Sequence, residues 1–184
     1  MKKFLALVLS LCLVLSLAAC GGKPADDDTA EGSKTGGTIQ VGLNSAPVSM
    51  NIWCQNDLNS ATIMNLVCPN LVAIDDDGNK YDYLTESSEA NEDCTIKLKE
   101  LYWNDGTPVT SADLLFTAKY GVEHHIGFFD SYYGLVDFEK SSCPDERTVE
   151  FALTSGNVNF WKGAGNWIPV MRESEWSSVE EPTT

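Results

Sequence analysis

Positive charge is what this chain has least of. Twelve Lys and Arg stand against 27 Asp and Glu, a formal net charge of −15, and there are two histidines. That balance disfavours the phosphate backbone of nucleic acids and anionic lipid surfaces as partners, while it tolerates cationic or zwitterionic solutes. The two histidines, His124 and His125, are adjacent, so their side chains leave the backbone in different directions and make a poor pair of zinc ligands. They are read as a loop or a helix end, and no metal site is assigned. Enzymatic motifs are also missing: there is no GxSxG elbow, HExxH pair or phosphate loop, and Gly163-Ala164-Gly165 lacks the third glycine of a dinucleotide fingerprint. No catalytic residue and no cofactor is assigned. The chain has no internal repeat, and its six cysteines include no CxxC pair.

The longest apolar run, Phe4 to Leu17, is too short for a comfortable membrane span. Preceded by Lys2 and Lys3 and followed by Leu17-Ala18-Ala19-Cys20, it reads as residues 1–19 of a lipoprotein signal peptide, with cleavage before Cys20 and a diacylglycerol on that thiol. The protein is then anchored to the membrane through acyl chains (palmitate or its like), and two or more chains hold where one would hold only marginally. Residues 20–37 carry the lipidated cysteine and a tether rich in Gly, Asp, Lys and Thr, which has too little apolar surface to repay its ordering. Within it, Asp26 to Asp28 is a solvated run and not a cation cage.

Residues 38–184 hold the remaining material, with enough apolar side chains for one core. Ile39, Val41 and Leu43 alternate as in a half-buried strand. Asn59 or Ser60 can cap a helix on which Met64, Cys68 and Leu71 recur at i, i+4 and i+7. Leu71 to Ile74 and Tyr81 to Leu84 flank Asp75-Asp76-Asp77-Gly78, a hairpin turn that cannot be a calcium loop because Ala73 and Leu84 fall where carboxylates belong. Ile96 and Leu98 mark another strand, as do Val149, Phe151 and Leu153. Strands and helices thus alternate in an α/β pattern. Cys54, Cys68, Cys94 and Cys143 lie in this part, and four cysteines allow three pairings; disulfide and free thiol both stay open.

The densest signal is Trp103 to Tyr120, WNDGTPVTSADLLFTAKY. Asn104, Asp105, Gly106 and Pro108 are turn formers, so Trp103 is predicted to end a strand. Thr110 stands at an N-cap with Asp113 three residues on, the arrangement of a capping box, so a helix is predicted from Ser111. Leu114, Ala118 and Val122 give that helix an apolar face, which predicts packing on a sheet.

This motif resembles the signature of bacterial extracellular solute-binding proteins of the peptide/nickel class, the oligopeptide- and dipeptide-binding receptors of ABC importers. Ile39 to Leu43 is similar to their first strand, Ser49-Met50-Asn51 to a Leu-Asp/Asn-Pro turn, and Leu84-Thr85-Glu86-Ser87 to a Leu-Ala-Glu-Ser element. Thr148 to Leu153, Asn159-Phe160-Trp161 and Ile168-Pro169 continue the likeness, which runs from Gly37 to Pro169. Departures are Thr85 for Ala, Ser88 for an aromatic residue, and a shorter segment from Leu98 to Trp103.

The resemblance implies the first-lobe portion of a two-lobe, type II periplasmic-binding-protein-like fold, truncated, because such receptors are much longer. It implies capture of a peptide or related small solute for ABC permease subunits, on the outer face of the cytoplasmic membrane or in the periplasm of a Gram-negative host, without catalysis. It also implies ligand contacts from Gln55, Asn56, Asp57 and Leu58, and from Asn166 and Trp167. For Trp53 and Trp167, packing and ligand stacking are both open. With one lobe, tight peptide binding is not expected of the 184-residue chain. Two other readings use the same segment: a sensory or interaction lipoprotein, or the amino-terminal module of a secreted hydrolase.

Overall fold

The computed structural model describes residues 37–54, 57–90 and 93–183, so the signal peptide, Cys20, the tether before Gly37, and Gln55 and Asn56 lie outside the described residues. The chain divides into two units, Met1–Gly42 and Leu43–Thr184. Of the first, residues 37–42 run without strand pairing, and Ile39 and Val41 are 89% and 58% exposed. The strand expected over Ile39 to Leu43 is therefore not formed. Alternation marks a strand only where a neighbour completes its hydrogen-bond ladder, and no described residue does so.

The second unit is built on an antiparallel sheet. Its strands β3 (Thr85–Ala90), β4 (Asp93–Leu98), β5 (Val136–Asp145) and β6 (Thr148–Leu153) lie in the order β3-β4-β6-β5, while β1 (Val72–Ile74) and β2 (Lys80–Asp82) form a separate hairpin. Ile96 pairs with Val149 and Cys94 with Phe151. All four are fully buried, as is Leu98, because alternate residues of adjacent strands share one face. Helix α2 (Ser111–Glu123) packs on β5 and β6, α3 (Gly127–Tyr133) packs on α2, and α4 (Phe160–Trp167) packs on α3, β1 and β3. The core between them is aromatic: Phe151, Phe160, Trp161 and Tyr133 meet with ring centroids 4.8–6.1 Å apart.

The hairpin turn at Asp75 to Gly78 forms as expected, with Gly78 at φ +79° and the Asp75 carboxylate accepting the amides of Asp77 and Asn79. The capping box forms too: Thr110 Oγ1 accepts from Asp113 N at 3.3 Å, and Thr110 N donates to Asp113 Oδ2 at 2.9 Å. Helix α2 begins at Ser111, and Leu114 and Ala118 are fully buried.

Three expectations need correcting. Helix α1 (Leu58–Val67) is capped by Asp57, not by Asn59 or Ser60, because the Asp57 carboxylate reaches both Asn59 N (3.0 Å) and Ser60 N (2.9 Å). It also ends before Leu71, leaving Cys68 as its C-cap. Trp103 ends no strand: β4 stops at Leu98, and beyond it only Tyr102 and Pro108 form an isolated bridge, since proline has no N–H to extend a ladder. In the turn itself Gly106 takes φ +84°, the positive value expected of it. At Leu84-Thr85-Glu86-Ser87, as the departures from the resembled pattern suggest, the local geometry is irregular. Thr85 opens β3 and the register shifts between Thr85 and Ser87, a bulge. Among the described residues, Cys54, Cys68 and Cys143 form no disulfide.

Candidate functional site

Three segments converge on one groove of about 510 Å³. The first is a 3-10 turn, Ile52–Cys54. Asn51 shapes it: its side-chain oxygen accepts from Trp53 N at 3.0 Å, and its carbonyl accepts from Cys54 N at 2.9 Å. Trp53 is 3% exposed and packs against Tyr120, Phe129 and Trp176. The second is the connection from α2 to α3. Here His124 is the C-cap of α2 and His125 sits at φ +52°, so the helix-end reading of this pair holds. The third is the end of α4, with Trp167 and Pro169.

The α2–α3 approach depends on Gly121. A Cβ there would fall 2.4 Å from Cβ of Phe129, so the helices close to this distance only over a glycine. That closeness aims the start of α3 at the groove, where Phe128 remains 52% exposed. Phe128 stacks on Trp167 with the rings 14° from parallel and 6.2 Å apart, and Trp167 is 47% exposed. Two large rings are thus held in water at the rim.

Along one side runs the segment after α5 (Glu173–Trp176). Tyr120 donates its hydroxyl to Val179 O at 2.5 Å, Asn51 Nδ2 donates to Pro182 O at 2.6 Å, and the Cys54 thiol donates to Thr183 O at 3.5 Å. Burial raises the Tyr120 phenol above its ordinary range, so it stays a donor at neutral pH.

Of the residues expected to meet a ligand, Trp167 lines the groove. Gln55 and Asn56 follow directly on Cys54, also a lining residue. Asp57 and Leu58 do not line it. Asp57 is held below the usual carboxylate range, first by the Ser60 hydroxyl and then by backbone amides, as suits a cap; Leu58 opens α1 and is 77% exposed. Asn166 is half-buried on α4 and is not in the lining. Ile126 and Phe128 were not singled out in the sequence, and His125 was weighed there only as a metal ligand against a loop or helix end. The run Gly127-Phe128-Phe129 holds one buried and one exposed ring side by side, and that pairing could have marked it. Among the described residues, no group of three or more His, Cys, Asp or Glu could hold a metal ion.

The fold is the mixed helix-and-sheet arrangement of part of a type II periplasmic-binding-protein lobe, as comparison with solved structures shows. The chain is similar to the oligopeptide-binding protein AppA of Bacillus subtilis, solved with a nonapeptide, at TM-score 0.63 and 21% identity, covering 72% of this chain and 27% of that one. It is similar to NikZ of Campylobacter jejuni, solved with Ni(L-His), at TM-score 0.63 and 15% identity, covering 76% and 28%. The ABC transporter substrate-binding protein CtaP of Listeria monocytogenes gives TM-score 0.62 and 24% identity, covering 75% and 29%. This chain therefore spans a little over a quarter of those structures. No curated protein matches it. Residues 81–183 match the family of bacterial extracellular solute-binding proteins, family 5 middle, and the chain belongs to that family.

Proposed function

We propose that this protein is the solute-capturing component of an ABC importer, taking up a peptide or related small solute and handing it to permease subunits without catalysis. The observation that carries this reading is the family match over residues 81–183, the stretch that also supplies the α2–α3 and α4 walls of the groove. The groove has the size and the largely apolar lining of small-ligand sites. Trp167, with Gln55 and Asn56 beyond Cys54, is assigned to solute contact; Asp57 caps α1 next in sequence, Leu58 opens that helix, and Asn166 precedes Trp167 on α4. No helix among the described residues is long and apolar enough to cross a membrane. Attachment is assigned to lipid on Cys20, which places the protein on the outer face of the cytoplasmic membrane.

Titration of the isotope-labelled chain with tri-alanine, followed by NMR, is the test. Millimolar binding that shifts the indole signals of Trp53 and Trp167 is the expected result. A peptide that leaves every groove signal unmoved overturns solute capture at this site.

A further inference from the structure

We infer that the groove between Trp53 and Trp167 is a subsite selective for an apolar side chain of a peptide, aromatic or branched aliphatic, over a charged one. This rests on the solute-binding reading above and deepens it. The lining is dominated by Ile52, Trp53, Ile126, Phe128, Trp167 and Pro169, and apart from the Cys54 thiol its single ionisable side chain is His125. A lysine or glutamate side chain entering it would shed water and find no carboxylate or ammonium among the described lining residues. An apolar side chain would instead cover the faces of Phe128 and Trp167, two rings that fold leaves half in water.

The second observation is Trp53. Its ring is 3% exposed and borders the groove, its neighbours are the rings of Tyr120, Phe129 and Trp176, and its indole N–H has no acceptor among the described residues. A buried donor without a partner is rare and destabilising. A peptide carries a carbonyl beside every side chain that could fill the groove, the kind of acceptor this indole lacks, and binding has to open the covered edge of the ring to it. One occupant thus answers both features: apolar surface for the two rim rings and an acceptor for the indole. The −15 net charge acts in the same direction against acidic side chains.

The test titrates the 184-residue chain, labelled at the indole nitrogens, with N-acetyl amides of Phe, Leu, Lys and Glu and with tri-alanine. The Phe and Leu amides are expected to bind about tenfold tighter than the Lys and Glu amides and to shift the Trp53 and Trp167 indole signals. Phe128→Ala and Trp167→Ala remove exposed rings and leave the core intact, so both variants should keep the parent's circular dichroism while losing about tenfold in Phe-amide affinity. Trp53→Phe keeps a ring and removes the N–H, and should weaken all four amides alike. Tri-alanine binding without preference among the amides overturns the subsite and leaves solute capture standing. Apolar amides binding where tri-alanine does not would support the apolar site and overturn peptide capture. No binding by any probe overturns both.

Discussion

Thr117 shows how much a single hydroxyl can hold. It is fully buried on α2, donates to Asp113 O at 2.6 Å, and accepts from Met171 N at 2.7 Å, so it ties the helix to the segment that follows α4. Thr117→Val keeps the shape but strands the Met171 N–H, and it should cost about 1–3 kcal/mol in urea unfolding. Thr110→Ala removes the other half of the same design, the capping box, and should cost about 1 kcal/mol by the same measurement, with Thr110→Ser restoring most of it. The Thr110 cap was legible in the sequence because both partners lie within three residues of each other. The Thr117 bond was not, since its partner Met171 lies 54 positions away. Asp57 fell between these cases: a local cap, but one displaced by Asn59 and Ser60, which have equal cap propensity and sit within the same three residues.

At the scale of elements, helix α2 and strands β4 and β6 followed from periodicity, because their buried faces repeat at the helical or strand period and pack on one another. The stretch from Ile39 to Leu43 has the same alternation yet forms no strand, which shows that period 2 states which residues could share a face and not whether a partner exists. Strand β5 was hidden for a related reason. It pairs through register shifts between Asp137 and Ser142 and between Ser142 and Asp145, and such breaks scramble the alternation. The contact of α2 with α3 rests on Gly121. Gly121→Ala forces a methyl into Phe129 and should destabilise by about 1–3 kcal/mol, measured as a fall in the thermal midpoint. It should also move the indole signal of Trp53, since Phe129 packs on that ring at 4.7 Å.

Across the whole molecule, the Trp103 to Pro108 turn is tied to the far end of the chain by Arg172. Its guanidinium donates to Asp105 Oδ2 at 2.8 Å and to Thr107 Oγ1 at 2.7 Å, and it lies over the Trp103 ring. Asp105 is held well below the usual carboxylate range, first by the Thr107 hydroxyl and amide and then by Arg172. A carboxyl whose pKa is depressed by folding stabilises the fold above its unfolded value, near about 4, and loses that contribution as pH falls further. Asp105→Asn should therefore lower the thermal midpoint at neutral pH, and the gap from the parent should close as pH is lowered below about 4. A gap that stays constant with pH would exclude the ionised form as the source. The proposed lipid attachment is tested on the whole protein. Cys20→Ser should move it from the membrane to the soluble fraction and abolish labelling by radioactive palmitate, and unchanged fractionation would remove the lipid anchor from the proposal.

The sequence by itself determined what is local: the capping box, the hairpin and Gly106 turns, the apolar faces of α2, β4 and β6, and the motif order that places the chain in its family. Each depends on residues a few positions apart, whose conformational preferences act before any distant contact forms. Only the tertiary structure decided that Trp53, Phe128 and Trp167 face one groove, that Arg172 closes on Asp105, and that Ile39 to Leu43 pairs with none of the described strands. Those outcomes depend on the summed packing of segments separated by tens of residues, and no local pattern encodes them.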